Sequence, residues 1–172
     1  IIYSIFSITF YYSLKNSTKI NNTKFINFLL GGGNSHLLED YKLVNIVNTS
    51  TNFLFNIDLK ATTAKELIIK LRENKKGVAI LRLDIKNKKL IFDRNNCDGY
   101  NKGIKSCDLD LFEDTLSVNI FSDNISIEVF TDDNKVAMSN NIYPLECSNK
   151  VNLEAVDGEI VFNSFDIWTI EV

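Results

Sequence analysis

Two carboxylates, Asp123 and Glu128, bracket the segment Asn124-Ile125-Ser126-Ile127 in this 172-residue chain. A pair of acids is the minimum equipment for proton transfer at a bound substrate, one group giving a proton while the other accepts. The pattern around them argues for a different role. Ile125, Ile127 and Val129 alternate with Ser126, Glu128 and Phe130, the period of a β-strand with one buried face. Asp123 then falls in the turn before the strand, and Glu128 projects from the face opposite the core. There it meets solvent or a partner surface, so Glu128 is the candidate for an interdomain contact.

Other residue types that could do chemistry are weaker candidates. His36 is the single histidine and lies beside Gly31-Gly32-Gly33, so a zinc site or a histidine-based triad would rest on one loop residue. The glycine run lacks the Gly-Lys-Ser/Thr of a phosphate loop and reads as a linker. Asp108, Asp110, Glu113 and Asp114 are interleaved with Leu109, Leu111 and Phe112, a strand and turn pattern rather than a calcium loop. Cys97, Cys107 and Cys147 form no CxxC or Cys/His cluster. A Cys97–Cys107 bridge would suit an exported protein, whereas free, partly buried thiols suit either compartment, so cytoplasmic and secreted locations both stay open. No metal or cofactor is expected. Tyr100, among Asp98, Gly99 and Asn101, is the candidate for an exposed, carbohydrate-facing ring.

The elements that must position these residues are strands. Hydrophobic residues make up 45% and charged residues 24% of the chain, with a net charge of −3, a soluble globular composition without the clustered basic surface that nucleic acid requires. Short apolar segments with turn residues between them recur from Leu43 onward. Phe53, Phe55, Ile57 and Leu59 share one face, as do Ala79, Leu81, Leu83 and Ile85. Leu90 to Phe92, Ile104 to Leu111, Leu116 to Phe121 and Ile125 to Phe130 follow, and Val136 and Met138 begin a return strand. Asp157-Gly158 reads as a tight hairpin turn between Val151–Val156 and Glu159–Val172. Thr63-Ala64-Lys65-Glu66 is a formal helix capping box, but the alternation of Leu67, Ile69 and Leu71 favours a strand. The expected fold is all-β, a two-sheet antiparallel β-sandwich of jelly-roll or concanavalin type. Residues 1–40 read as a remnant or linker of an upstream region, with an apolar run from Ile1 to Tyr12 too short to span a membrane, and 41–172 as the sandwich module.

Leu90-Ile91-Phe92-Asp93-Arg94, the Asp123–Phe130 block, Ile142-Tyr143-Pro144 and Ile167-Trp168-Thr169-Ile170, in this order and spacing, resemble the C-terminal β-sandwich of glycoside hydrolase family 32. This is the family of invertases, levanases, inulinases and sucrose-6-phosphate hydrolases. The resemblance covers Thr51 to Val172, with Asn141 standing where an Arg is common. It implies a parent enzyme that hydrolyses a β-fructoside with retention, using carboxylates carried on a separate five-bladed propeller in Asn-Asp-Pro-Asn, Arg-Asp-Pro and Glu-Cys motifs. The first two motifs are missing here. Glu146-Cys147 copies the third dipeptide but follows the sandwich hairpin, so no catalytic residue is assigned in this chain. The implied partners are the propeller and a fructoside, with a dimer contact through the sandwich as a further expectation. The rival reading is a free-standing, lectin-like carbohydrate-binding module.

Overall fold

The computed structural model describes residues 12–15, 50–97, 99–111, 113–131, 135–143 and 150–170. His36, Gly31–Gly33, Asp98, Phe112, the 132–134 turn, Pro144, Glu146 and Cys147 lie outside them. The described residues form eleven strands and no helix. These are β1 (Tyr12–Lys15), β2 (Ser50–Asp58), β3 (Glu66–Glu73), β4 (Ala79–Asp84), β5 (Lys89–Asp93), β6 (Ile104–Asp108), β7 (Thr115–Ser122), β8 (Ser126–Thr131), β9 (Val136–Asn141), β10 (Lys150–Val156) and β11 (Glu159–Ile170). They assemble into a six-stranded sheet, β1-β11-β2-β7-β8-β9, and a five-stranded sheet, β10-β3-β4-β5-β6. Every pairing is antiparallel. The expected two-sheet sandwich is what the chain forms. β1, from the stretch ahead of Asp40, pairs with β11 through Tyr12↔Phe162 and Lys15↔Glu159.

Alternation decides which side chains fill the space between the sheets. Phe53, Phe55 and Ile57 of β2, Leu67, Ile69 and Leu71 of β3, and Leu81 and Leu83 of β4 are all buried. The capping-box segment is therefore a strand, because a helix would have turned one of those three β3 side chains out of the core. Two irregularities add to the pattern. Between Phe162 and Ser164 the β11–β2 register shifts, and this bulge brings Phe162 and Phe165, three apart, onto the same buried face. Phe165 stacks on Phe55 with centroids 5.1 Å apart, while Phe162 meets Phe55 edge-on at 5.6 Å. On β3 a second shift, opposite Lys150 and Asn152, coincides with Arg72 at φ 56. That left-handed residue swings its side chain inward beside Leu71, and both are buried.

The Asp157-Gly158 dipeptide does not close a hairpin. β10 belongs to one sheet and β11 to the other, so these residues form a corner between sheets. The reason lies in the chain packed against them. Thr63 and Ala64 both donate backbone hydrogen bonds to the Glu159 carbonyl, Lys65 donates to Val156, and the Thr63 hydroxyl accepts from the Glu159 amide at 3.0 Å. The β2-to-β3 connection thus takes the place a hairpin partner would have held. The β6-to-β7 connection crosses at the same end, with Leu59 N–H on the Asp114 carbonyl at 2.8 Å. Three sheet-to-sheet crossings therefore gather at one end, the crossover end.

Candidate functional site

At the opposite end β3–β4, β5–β6 and β7–β8 turn back within their sheets, β9 ends before the chain passes to β10 in the other sheet, and loops from both sheets meet. The β5–β6 loop starts at Asp93-Arg94, whose backbone amide at Arg94 donates to the Gly103 carbonyl at 3.1 Å. Gly103 takes φ +142, a conformation that side chains disfavour. Tyr100 rides on this loop with its side chain 80% exposed. Arg94 crosses to the other sheet, its Nη1 donating to the Asn141 carbonyl at 3.1 Å, and Lys105 does the same to the Ser139 carbonyl at 2.8 Å. Two cations from one sheet thereby cap the outer carbonyls of β9, the edge strand of the other.

Asp123 sits where the sequence placed it, in a turn. Its carboxylate accepts the amides of Ile125 and Ser126 at 2.8 and 2.6 Å, an Asx turn that opens β8. Ile125, expected on the core face, lies in this turn and is 58% exposed, while Ile127 and Val129 are buried. The Ile125 carbonyl accepts the Ile142 amide at 2.8 Å, which fixes Tyr143 beside it. Beneath the turn, Arg72 donates to the Ser122 hydroxyl at 3.2 Å and to the Asp123 carbonyl. A nearly buried guanidinium therefore ties β3 to the end of β7.

Glu128 is half-buried on the outer face of its sheet. It stands opposite Phe121 on one side and Ser139 on the other, and its Oε1 accepts the Ser139 hydroxyl at 3.3 Å. Asp123 and Glu128 are thus separate, one in a turn and one on a sheet face.

The other described carboxylates are largely engaged in holding turns and strand pairs. Asp58 accepts the amides of Lys60 and Ala61, Asp84 that of Asn87, and Asp93 that of Asn95. Lys89–Asp108 and Lys60–Asp114 are ion pairs at 2.9 and 2.6 Å. The hydrogen bond and charge of the partner acid hold each of these lysines above its ordinary value. Among the described residues no group of three or more His, Cys, Asp or Glu is arranged to hold a metal ion. No helix among them is long and apolar enough to cross a membrane. Cys97 is buried and is not bridged to Cys107, and burial, with the charge of Asp108, pushes the Cys107 thiol up.

Residues 11–169 match the family model described as "Glycosyl hydrolases family 32 C terminal". The chain belongs to this family. Sucrose-6-phosphate hydrolase of Zymomonas mobilis is 35% identical over 123 residues, covering 66% of this chain and 23% of that protein. The family 32 chain therefore spans about a quarter of the length of the curated relatives it matches. The exo-inulinase of Aspergillus awamori superposes with a TM-score of 0.68 at 14% identity, over 95% of this chain and 29% of the inulinase. Sucrose-6-phosphate hydrolase of Lactobacillus gasseri does so with a TM-score of 0.57 at 12% identity, over 92% of this chain and 29% of that enzyme. At those identities the superpositions establish the fold: the sandwich is that of the family's C-terminal domain.

Most of the strands, the placing of Asp123 in a turn and the exposure of Tyr100 were legible from residue types. The bridges made by Arg94, Lys105 and Arg72 were not, because each joins residues 34 to 51 positions apart. Arg94 had a signal in the Asp-Arg pair that closes β5. Arg72 had none beyond a charged residue ending an apolar strand.

Proposed function

We propose that this chain is the sandwich that buttresses the catalytic domain of a β-fructosidase-like enzyme, whose substrate is sucrose, sucrose 6-phosphate or a fructan. The observation that carries the proposal is the match of residues 11–169 to the family's C-terminal domain. Sucrose 6-phosphate is the first substrate to test, since the relative at 35% identity is named as its hydrolase. The position of Asp123 in an Asx turn supports a supporting rather than a catalytic role for the block that includes Glu128. In this reading the nucleophile and acid of a retaining hydrolysis sit in the catalytic domain, and the sandwich stabilises that domain by covering part of its surface. A match to a C-terminal domain does not favour the free-standing binding module.

The test is direct. Purified 172-residue protein, assayed for fructose release from sucrose, sucrose 6-phosphate and inulin, is expected to show none above buffer. Installed in place of the matched 123 residues of the Z. mobilis enzyme, it is expected to support sucrose-6-phosphate hydrolysis. Turnover by the isolated chain would overturn the division of labour.

A further inference from the structure

Large hydrophobic side chains stand in the open at five described positions: Tyr100 80%, Ile104 59%, Phe121 37%, Ile125 58% and Tyr143 43%. Single exposed apolar residues are normal on a soluble domain. Here, however, all five lie at the end away from the crossovers. Ile104 opens β6 opposite Asp93, the last residue of β5, and Tyr100 is on the loop between them. Arg94, next to Asp93, reaches the carbonyl of Asn141, two residues before Tyr143. The amide of Ile142 is bonded to Ile125, and Phe121 lies one residue before the Ser122 that Arg72 binds. Concentration of the large exposed hydrophobes among the described residues on one end marks an interaction surface.

The chemistry of the patch and its edges narrows the occupant. Ile104 and Ile125 have no hydrogen bond to offer a sugar, and an aliphatic side chain gives no flat ring face, so this end suits a dry protein surface. A second copy adding a strand at β9 is disfavoured, because Lys105 and Arg94 already occupy the Ser139 and Asn141 carbonyls. The chain accounts for only 23% of the Z. mobilis relative. Most of such an enzyme lies outside the sandwich, and a domain interface of ordinary size, roughly 600–1,500 Å², needs an apolar centre of this kind.

We infer that the end bearing Tyr100, Ile104, Ile125 and Tyr143 is the face on which the catalytic domain sits, with Phe121 and Glu128 at its margin. The inference rests on the reading under Proposed function and adds to it the face used. Hydroxyl-radical footprinting tests it on the isolated 172-residue protein and on the Z. mobilis chimera. Labelling of Tyr100 and Tyr143 is expected to fall at least about five-fold in the chimera, as at a desolvated interface centre, while crossover-end residues keep their rates. The pair I104K and I125K is expected to lower the chimera's thermal midpoint without lowering that of the isolated chain. A chimera that hydrolyses sucrose 6-phosphate with both tyrosines labelled as in the isolated chain would sink the inference and leave the functional reading standing. An inactive chimera beside an active parent enzyme would sink both. Concentration-dependent dimers of the isolated chain that protect the same tyrosines would assign the face to a second copy and overturn the inference.

Discussion

Gly158→Ala should be among the most damaging single-methyl additions to this chain, and the size of the loss distinguishes a corner from a hairpin. A Cβ at position 158 would lie 2.5 Å from the Ala64 nitrogen, 2.5 Å from the Thr63 carbonyl carbon and 2.6 Å from the Ala64 Cα. All three are backbone atoms, in a segment pinned by hydrogen bonds to Glu159 and Val156, so none can step aside cheaply. Gly158 also has φ +149, a region closed to L side chains at a cost of about 1–3 kcal/mol. Overpacking adds about 1–3 kcal/mol, for a total of roughly 2–6 kcal/mol by these two principles. In a hairpin turn with Thr63 and Ala64 elsewhere, only that backbone penalty of about 1–3 kcal/mol would remain. Urea denaturation followed by the fluorescence of Trp168, the single tryptophan, measures the difference at constant m. A loss of about 4 kcal/mol corresponds to a midpoint drop of roughly 8–16 °C in a domain of this size. A loss under about 2 kcal/mol would refute the packed corner, because it leaves no room for an overpacking cost on top of the backbone penalty.

Phe55→Ala removes the ring that stacks on Phe165 and meets Phe162 edge-on, and should cost about 3–5 kcal/mol in the same assay. Arg72→Met should cost about 2–4 kcal/mol, since it leaves the Asp123 carbonyl without a charged donor inside the sandwich, with Arg72→Lys recovering part of the loss. Ser122→Ala, which takes away one acceptor of the same guanidinium, should cost only about 1 kcal/mol. The raised Cys107 pKa means less thiolate at a given pH. Iodoacetamide labelling of Cys107, read by peptide mass spectrometry, should therefore rise at a higher pH in the folded protein than in urea, and coincident profiles would contradict the burial of this thiol.

What could be read ahead of the structure was whatever a period of two encodes. Leu67, Ile69 and Leu71 sit on one face in sequence and on one face in space, which is why the capping box at Thr63 lost to the strand. The resemblance carried by Asp93-Arg94 and the Asp123–Phe130 block named the right family. Legibility stopped where a second segment decides the outcome. Asp-Gly is good hairpin chemistry, yet the segment that fills its concave side is Thr63-Ala64, about 95 positions upstream. Ile125 fits the alternation of its strand, but the Asp123 carboxylate captures the amides of Ile125 and Ser126 and starts the strand one residue later. Phe162 and Phe165 violate period two and are both buried, because a bulge absorbs the extra residue.

The two ends of the sandwich solve opposite problems. At the crossover end three connections pass between the sheets, and charged groups such as Lys60–Asp114 and Lys65–Asp157 cover the surface. Among the described residues, that end is polar outside and hydrogen-bonded within. At the far end the backbone is equally well tied, through Arg72, Arg94, Lys105 and the Asx turn, yet the side chains held outward are Tyr100, Ile104, Ile125 and Tyr143. Fixing apolar groups in water brings no stability to an isolated domain, since the hydrophobic gain comes only when they are covered. A rigid frame presenting an apolar face is what a buttressing domain requires, because a preorganised surface loses little entropy on docking. The Asp123 block belongs to that frame: its carboxylate organises the turn that presents Ile125, and its carbonyl anchors Arg72 below. Its acid works on this domain's own backbone, which is why the segment that marks the family serves, in this reading, the interface rather than the reaction.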